Sequence, residues 1–270
     1  MNLARMVLAA SFALFDSMKP RIYSKTKLQD SGLHLVSLPA SGDSGQAESH
    51  EQSENHEQDT LLLHGLSSRH AGMQKVQRAF DVFFCTLALL VLWPVFAVIA
   101  LLIRLDTPGP VLFKQSRVGK DGAEFWFYKF RSMVSDAEAK RHLLEMQNER
   151  SGPVFKMKND PRITRVGRVL RKFSLDELPQ LINVLKGDMS LVGPRPALPK
   201  ETDKYTARQR QRLICLPGVT GLWQVSGRAS LSFERSIELD LYYIERQSIA
   251  LYFRILLLTI PAVLRAEGAY

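Results

Sequence analysis

Residues Val82 to Ile103 read VFFCTLALLVLWPVFAVIALLI, 22 positions without a charged side chain. As one straight helix the run spans roughly 33 Å, enough to cross a bilayer. Pro94 stands near its middle, where it removes a backbone hydrogen bond and crowds the carbonyl of Leu90. Both flanks are basic, with Lys75 and Arg78 before the run and Arg104, Lys114, Arg117 and Lys120 after it. Positive residues favour the cytoplasmic side. A segment that enters, breaks at Pro94 and returns satisfies both flanks at once. On these residues alone a re-entrant hairpin and a spanning helix weigh equally.

Upstream the composition changes. Between His34 and Ser68 there is no Lys or Arg, and SGDSGQAESHEQSENHEQD within it has almost nothing apolar to bury. Such a stretch cannot offset its ordering entropy and is expected to be a linker without structure. Met1 to Lys19 is mildly apolar but lacks a small-residue cleavage site, so a surface-lying segment is favoured over a signal peptide.

Downstream, Asp106-Thr-Pro-Gly-Pro110 is a turn-rich exit. Val111–Arg117 and Glu124–Arg131 then read as two strands about a Gly119-Lys-Asp-Gly122 hairpin turn. Ser135–Glu149 is polar and helix-prone. Arg162–Phe173 sets Arg162, Arg165, Arg168 and Arg171 at spacing three, with Ile163, Val166, Leu170 and Phe173 on the other side. This amphipathic pattern suits an anionic lipid surface or, equally, a charged face over a protein core. Leu251–Leu264, interrupted by Arg254 and Pro261, is too short to span and reads as an interfacial or core helix.

The net charge of +9 is uneven: residues 1–60 carry −3 and the rest +12. A basic body suits a polyanion, whether nucleic acid, anionic lipid or a phosphorylated ligand. Cys85 and Cys215 stand alone, which excludes a disulfide scaffold and a cysteine zinc site.

The densest site candidate is Ser174-Leu-Asp176-Glu177-Leu-Pro-Gln-Leu-Ile-Asn183. Ser174 and Glu177 have capping-box spacing, which would place both carboxylates in the first turn of a helix continued by Leu178, Leu181, Ile182 and Leu185. Acids there stabilise a helix dipole without any further role. Arg171 and Lys172 upstream and Gly193-Pro-Arg-Pro196 downstream add cations, which would attract a phosphate and keep Asp176 ionised. An ionised carboxylate beside bound phosphate is a candidate nucleophile, and a neighbouring Glu177 is a candidate Mg²⁺ ligand.

An ordered set of motifs carries a resemblance from about Lys75 to Tyr270. It comprises Arg78-Ala-Phe-Asp81, Thr107-Pro-Gly-Pro-Val111, Phe113-Lys-Gln-Ser-Arg-Val-Gly119, Tyr128-Lys-Phe-Arg-Ser-Met133 and Asp160-Pro-Arg-Ile-Thr164. Leu170-Arg-Lys-Phe-Ser-Leu-Asp-Glu-Leu-Pro-Gln180, Lys186-Gly-Asp-Met-Ser-Leu-Val-Gly-Pro-Arg-Pro196 and Pro217-Gly-Val-Thr-Gly-Leu-Trp-Gln-Val-Ser-Gly-Arg228 complete it. The chain resembles the bacterial sugar transferases, monotopic phosphoglycosyl transferases that move a hexose-1-phosphate onto undecaprenyl phosphate.

The resemblance implies a compact, membrane-associated α/β fold with an N-terminal re-entrant helix-break-helix hairpin and interfacial amphipathic helices. Residues 1–33 would be an extension, 34–74 the linker, and 75–270 the catalytic domain, with the hairpin over 82–103 broken at Pro94. It makes Asp176 and Glu177 the catalytic dyad, with Asp176 attacking the β-phosphate of a UDP-sugar, UMP leaving, and undecaprenyl phosphate then displacing the aspartate. Glu177 would hold Mg²⁺, and Lys129, Arg171 and the Pro194-Arg195-Pro196 turn would bind phosphate or nucleotide. Membrane lipid is the implied partner, nucleic acid is not, and a homo-oligomer is left open. The implied place is the cytoplasmic face of the bacterial inner membrane, at the start of exopolysaccharide or O-antigen assembly. UDP-glucose and UDP-galactose are the expected donors, with an N-acetylated sugar open.

One departure stands at Leu216, where the family usually has a basic residue; Arg212 is the nearby substitute. The rival reading is a non-enzymatic, membrane-anchored basic protein that binds anionic lipid or nucleic acid.

Overall fold

A computed structural model describes residues 44–147, 157, 159–227 and 231–264, with the side chains of 44–71, 141 and 145–147 excepted. The expected extension over 1–33 and the first residues of the linker lie outside the described residues. The chain divides into two compact units, Met1–Asn55 and His56–Tyr270, and the site belongs to the second.

Helix α1 runs from Ser44 to Asp106. Its backbone over 44–74 is helical where the composition led us to expect no structure. Ala, Glu, Gln and Leu carry high helix propensity, and no proline precedes Pro94 in this helix. Gly72–Asp106 is long and apolar enough to cross a membrane. Pro94 was expected to break it, yet the helix continues through that position. A proline removes one donor from the ladder and leaves helical φ and ψ accessible, so the expected break is absent as secondary structure.

Strands β1 (Leu112–Val118) and β2 (Glu124–Phe130) form the expected antiparallel hairpin, with Phe113 opposite Lys129 and Val118 opposite Glu124. Its turn needs left-handed backbone, which Asp121 and Gly122 adopt at φ 54° and 80°. Helix α2 (Ala137–Arg141) follows. Helix α3 (Arg165–Lys172) is capped by Thr164, whose side chain accepts from the Gly167 amide. Helix α4 (Gln180–Lys186) leads to β3 (Ser190–Val192), which pairs in parallel with β4 (Gly218–Thr220). Two short helices, α5 (Pro199–Thr202) and α6 (Ala207–Arg210), lie between those strands. The chain then continues through α7 (Leu222–Val225), α8 (Phe233–Glu245) and α9 (Ile249–Leu264).

Two apolar clusters join α1 to this body, one on each side of Pro94. Cys85 packs with Phe127, Leu181, Val184 and Met189, whereas Ile99 and Ile103 pack with Phe130 and Leu170. Both ends of the apolar segment are also tied down by hydrogen bonds. Gln77 Nε2 donates to Ser190 Oγ at 2.8 Å, Arg78 donates to the Val184 and Leu185 carbonyls, and Asp81 Oδ1 accepts from the Leu191 amide at 2.9 Å and the Tyr252 hydroxyl at 2.7 Å. At the far end Arg131 Nη2 donates to the Thr107 carbonyl at 2.6 Å, and Asp106 Oδ2 accepts from the Val166 amide at 3.1 Å.

The opposite side of α1 is bare. Phe83, Leu87, Leu90, Val91, Trp93, Val98, Leu101 and Leu105 are exposed, as are Leu257, Ile260 and Leu264 of α9.

The amphipathic stretch needs correction. Arg162 precedes α3 and is buried, donating through Nε and Nη2 to Asp160 at 2.9 and 2.6 Å. Leu170 faces the core, so the apolar side of α3 covers protein, and the exposed face mixes Arg165, Arg168, Val169, Lys172 and Phe173. A carboxylate two residues earlier captures Arg162, so the first of the four spaced arginines leaves the charged face.

Candidate functional site

Asp176 and Glu177 lie in a 3₁₀ turn, Leu175–Glu177, between α3 and α4. The expected capping box is absent. Ser174 takes the left-handed conformation at φ 54°, makes no side-chain cap, and its amide donates to the Arg171 carbonyl at 3.1 Å. It therefore terminates α3 instead of starting α4. Helix α4 begins only after Pro179, so the acids sit in a tight turn and not in a helix N-terminus.

Free of capping duty, Glu177 Oε1 meets Lys129 Nζ at 3.2 Å. Lys129 comes from β2, 48 positions away in sequence, and its ammonium also lies 5.3 Å from the centre of the Phe127 ring. Asn183, fully buried, holds α4 to β2: its Oδ1 accepts from the Tyr128 amide at 3.1 Å and its Nδ2 donates to the Trp126 carbonyl at 2.6 Å. This amide cross-link sets the dyad's turn against Lys129. Sequence reasoning missed Asn183 because only the apolar positions of that helix were weighed.

Asp176 is buried, and burial raises its pKa. The charges of Lys129 and Arg171 pull it back down, while Glu177 pushes it up. The expectation that cations keep this carboxylate ionised captured the opposing influence but not the burial. Lys129 and Arg171 both act electrostatically on Asp176, and Arg171 also acts on Asp160.

The Gly193-Pro-Arg-Pro196 turn is built from backbone. Gly193 donates to the Thr220 carbonyl at 2.9 Å and Gly218 to the Pro194 carbonyl at 2.8 Å. A Cβ on Gly193 would stand 2.4 Å from the Leu216 carbonyl oxygen, so the two chain segments meet as bare backbone. Arg117 Nη1 donates to the Pro196 carbonyl at 3.1 Å and Arg212 Nη2 to the Arg195 carbonyl at 3.2 Å. Arg195 and Glu177 both act electrostatically on Arg117, which links this turn to the dyad. Pro194 and Pro196 are buried and contribute carbonyls. Arg212 does not replace a cation at Leu216: it is buried and ion-paired with Asp240. Pro94 belongs to the membrane segment and not to this constellation.

Among the described residues no three His, Cys, Asp or Glu side chains gather as a metal cage. Two adjacent carboxylates, one of them partly exposed, do fit Mg²⁺, which keeps waters and shares its shell with substrate phosphates.

Comparison with known proteins decides the kinship. The family described as bacterial sugar transferase matches residues 72–266. The chain belongs to that family. It is similar to the galactosyl transferase CpsE of Streptococcus agalactiae, 51% identical over 162 residues, 60% of this chain and 36% of the relative. It is also similar to the undecaprenyl-phosphate galactose phosphotransferase of Salmonella typhimurium, 42% identical over 204 residues, 72% of this chain and 42% of the relative. The exopolysaccharide production protein ExoY of Rhizobium meliloti is 39% identical over 203 residues, 74% of this chain and 89% of that protein. The chain thus spans less than half the length of the first two relatives and most of the third.

Proposed function

We propose that this chain transfers a hexose-1-phosphate from a UDP-sugar to undecaprenyl phosphate, releasing UMP, at the cytoplasmic face of the bacterial inner membrane. The observation that carries the reading is the buried Asp176 carboxylate set among Lys129, Arg171 and the Lys129-paired Glu177, in a chain of this family. A carboxylate oxygen of Asp176 attacks the donor's β-phosphorus. The bond from that phosphorus to the bridging oxygen breaks, UMP departs with the oxygen, and a sugar phosphate remains on the aspartate. A phosphate oxygen of the lipid then attacks the same phosphorus and the carboxylate leaves. Mg²⁺, held by Glu177, would neutralise charge on the phosphates. Lys129, Arg171 and Arg195 orient the diphosphate, and burial strips water from the carboxylate and so sharpens its attack.

Anchoring supports a one-sided membrane seat. Gln77, Arg78 and Asp81 before the segment and Asp106 and Thr107 after it bind the same polar body. A spanning helix would carry one of these ends to the far face, where that body cannot follow. We therefore keep the re-entrant topology: the segment enters and leaves at one face, bending at Pro94 without losing its helical backbone, with its bare apolar face in lipid. Cysteines placed at Lys75 and Lys114 are expected to react from the cytoplasmic side alone, and labelling from opposite sides would refute it.

The Streptococcus agalactiae and Salmonella typhimurium relatives are named for galactosyl or galactose phosphate transfer, so UDP-galactose is the first donor to test. Purified protein in nanodiscs with undecaprenyl phosphate should release UMP. Without acceptor, donor labelled in its β-phosphate should leave label on the wild type and none on Asp176→Asn. Absence of UMP release across a panel of UDP-sugars would overturn the reading in favour of a non-catalytic, lipid-binding role.

A further inference from the structure

Arg117 and Arg212 hold consecutive carbonyls of one turn but are compensated differently. Both are buried. Arg212 donates to the Arg195 carbonyl and the Tyr205 hydroxyl, and its charge is met by the Asp240 carboxylate in direct contact. Arg117 donates to the Pro196 carbonyl at 3.1 Å and to Gln115 Oε1 at 2.7 Å, and lies 5.3 Å over the Phe127 ring. Every one of these partners is neutral, and its Nε, like that of Arg212, has no hydrogen-bond partner among the described residues. The nearest acids meet it only through space: Glu201, which accepts from the Leu198 amide at 3.0 Å, and Glu177, which is paired with Lys129.

A buried guanidinium without a bonded carboxylate is costly, and its persistence calls for a counter-charge. Burial first, and then the charge of Arg195, lower its pKa to about 9, so it remains a cation at neutral pH.

We propose that Arg117 is a positioning residue whose charge, met by no bonded carboxylate and set behind the Gly193–Pro196 turn, completes the seat for the phosphates of a nucleoside diphosphate donor. It acts through the Pro196 carbonyl and through space and does not touch the donor. Arg212, already neutralised, only fixes the shape of the turn. The inference rests on the donor reading above and assigns a source of its affinity.

Gln115→Glu tests it without removing the arginine. The new carboxylate takes the place of Oε1, keeps the hydrogen bond and cancels the charge, while the amide's 3.5 Å donation to the exposed Glu138 is lost. Calorimetric titration of the full chain in nanodiscs should show UDP affinity reduced about tenfold or more, with uridine, which lacks phosphate, changed less than about twofold. Arg117→Gln should reproduce that selective loss, and Arg117→Lys should keep UDP binding within about threefold. Unchanged UDP affinity in folded Gln115→Glu overturns the proposal, as does an equal loss of uridine. A lysine variant as weak as the glutamine variant would mean that shape and not charge matters, and also overturns it. Wild type that binds neither UDP nor uridine would instead remove the donor reading itself, and the inference with it.

Discussion

Two aspartate-centred clusters flank α3, and they use similar residues to opposite ends. Asp160 and Arg162 close on each other: their side chains are 5% and 7% exposed, and the arginine forks across both carboxylate oxygens. Glu177 and Lys129 stay 34% and 25% exposed, and they border a third group, Asp176, that is buried with its pKa raised. A closed pair has spent its charges on each other and contributes to the fold. An open pair beside a buried carboxylate has charge left for a ligand, and the fold carries its desolvation cost.

The contrast is sharpest under amide substitution. Asp176→Asn should lower transfer by at least about four orders of magnitude, since an amide oxygen does not replace the attacking carboxylate. The same variant should melt at or above the wild-type temperature, because a buried charge is removed. UMP release and a thermal melt on one preparation read both. A folded variant with wild-type turnover would end the covalent mechanism and return Asp176 to a purely structural role.

Asp160→Asn should do the reverse. Arg162 would be left buried without its counter-charge, costing about 3–5 kcal/mol of stability. Turnover per folded molecule should stay near wild type. A melt unchanged within about 0.5 kcal/mol would mean that the pair's closure is worth nothing, and the comparison would break on that side.

Smaller effects follow at the open pair. Lys129→Met should reduce transfer about a hundredfold through lost phosphate and carboxylate contacts. It should cost less than about 1 kcal/mol of stability, because the ion pair is partly solvated. Glu177→Gln should weaken Mg²⁺ dependence, read as a higher Mg²⁺ concentration for half-maximal rate. A Lys129→Met protein that is chiefly destabilised would place this pair with the closed one.

The two clusters also differ in how far the chain itself discloses them. Asp176 and Glu177 stand out as adjacent acids between basic stretches, and the hairpin that delivers Lys129 is legible from its turn residues and strand composition. Local pattern fails where contacts are distant or side chains are polar and buried. The parallel pairing of Ser190–Val192 with Gly218–Thr220 joins three-residue strands too short for a periodic signal. Ser174 has the spacing of a capping box, yet its left-handed backbone ends the preceding helix. Arg162, Arg117 and Arg212 look like surface cations in any window, and only tertiary contact reveals that each is buried. Pro94 marks the middle of the apolar run in sequence, yet α1 stays helical through it and packs on the body on both sides.

The smallest expected effect is a pH dependence that the closed pair alone should show. Burial by itself would raise the pKa of Asp160, but hydrogen bonds from Arg162 and its charge, aided by Arg171, outweigh that and hold it below the ordinary carboxylate value. A depressed folded-state pKa means the unfolded chain binds the proton more readily. The stability contributed by Asp160 is therefore fully present above the unfolded value of about 3.9 and is lost as pH falls through the lower folded value. The stability difference between wild type and Asp160→Asn should be constant above about pH 5 and shrink below about pH 4. Chemical denaturation of both proteins across that range measures it. A difference that shrinks as pH rises toward neutrality would mean that burial dominates Asp160 as it does Asp176, and the two clusters would then differ only in exposure.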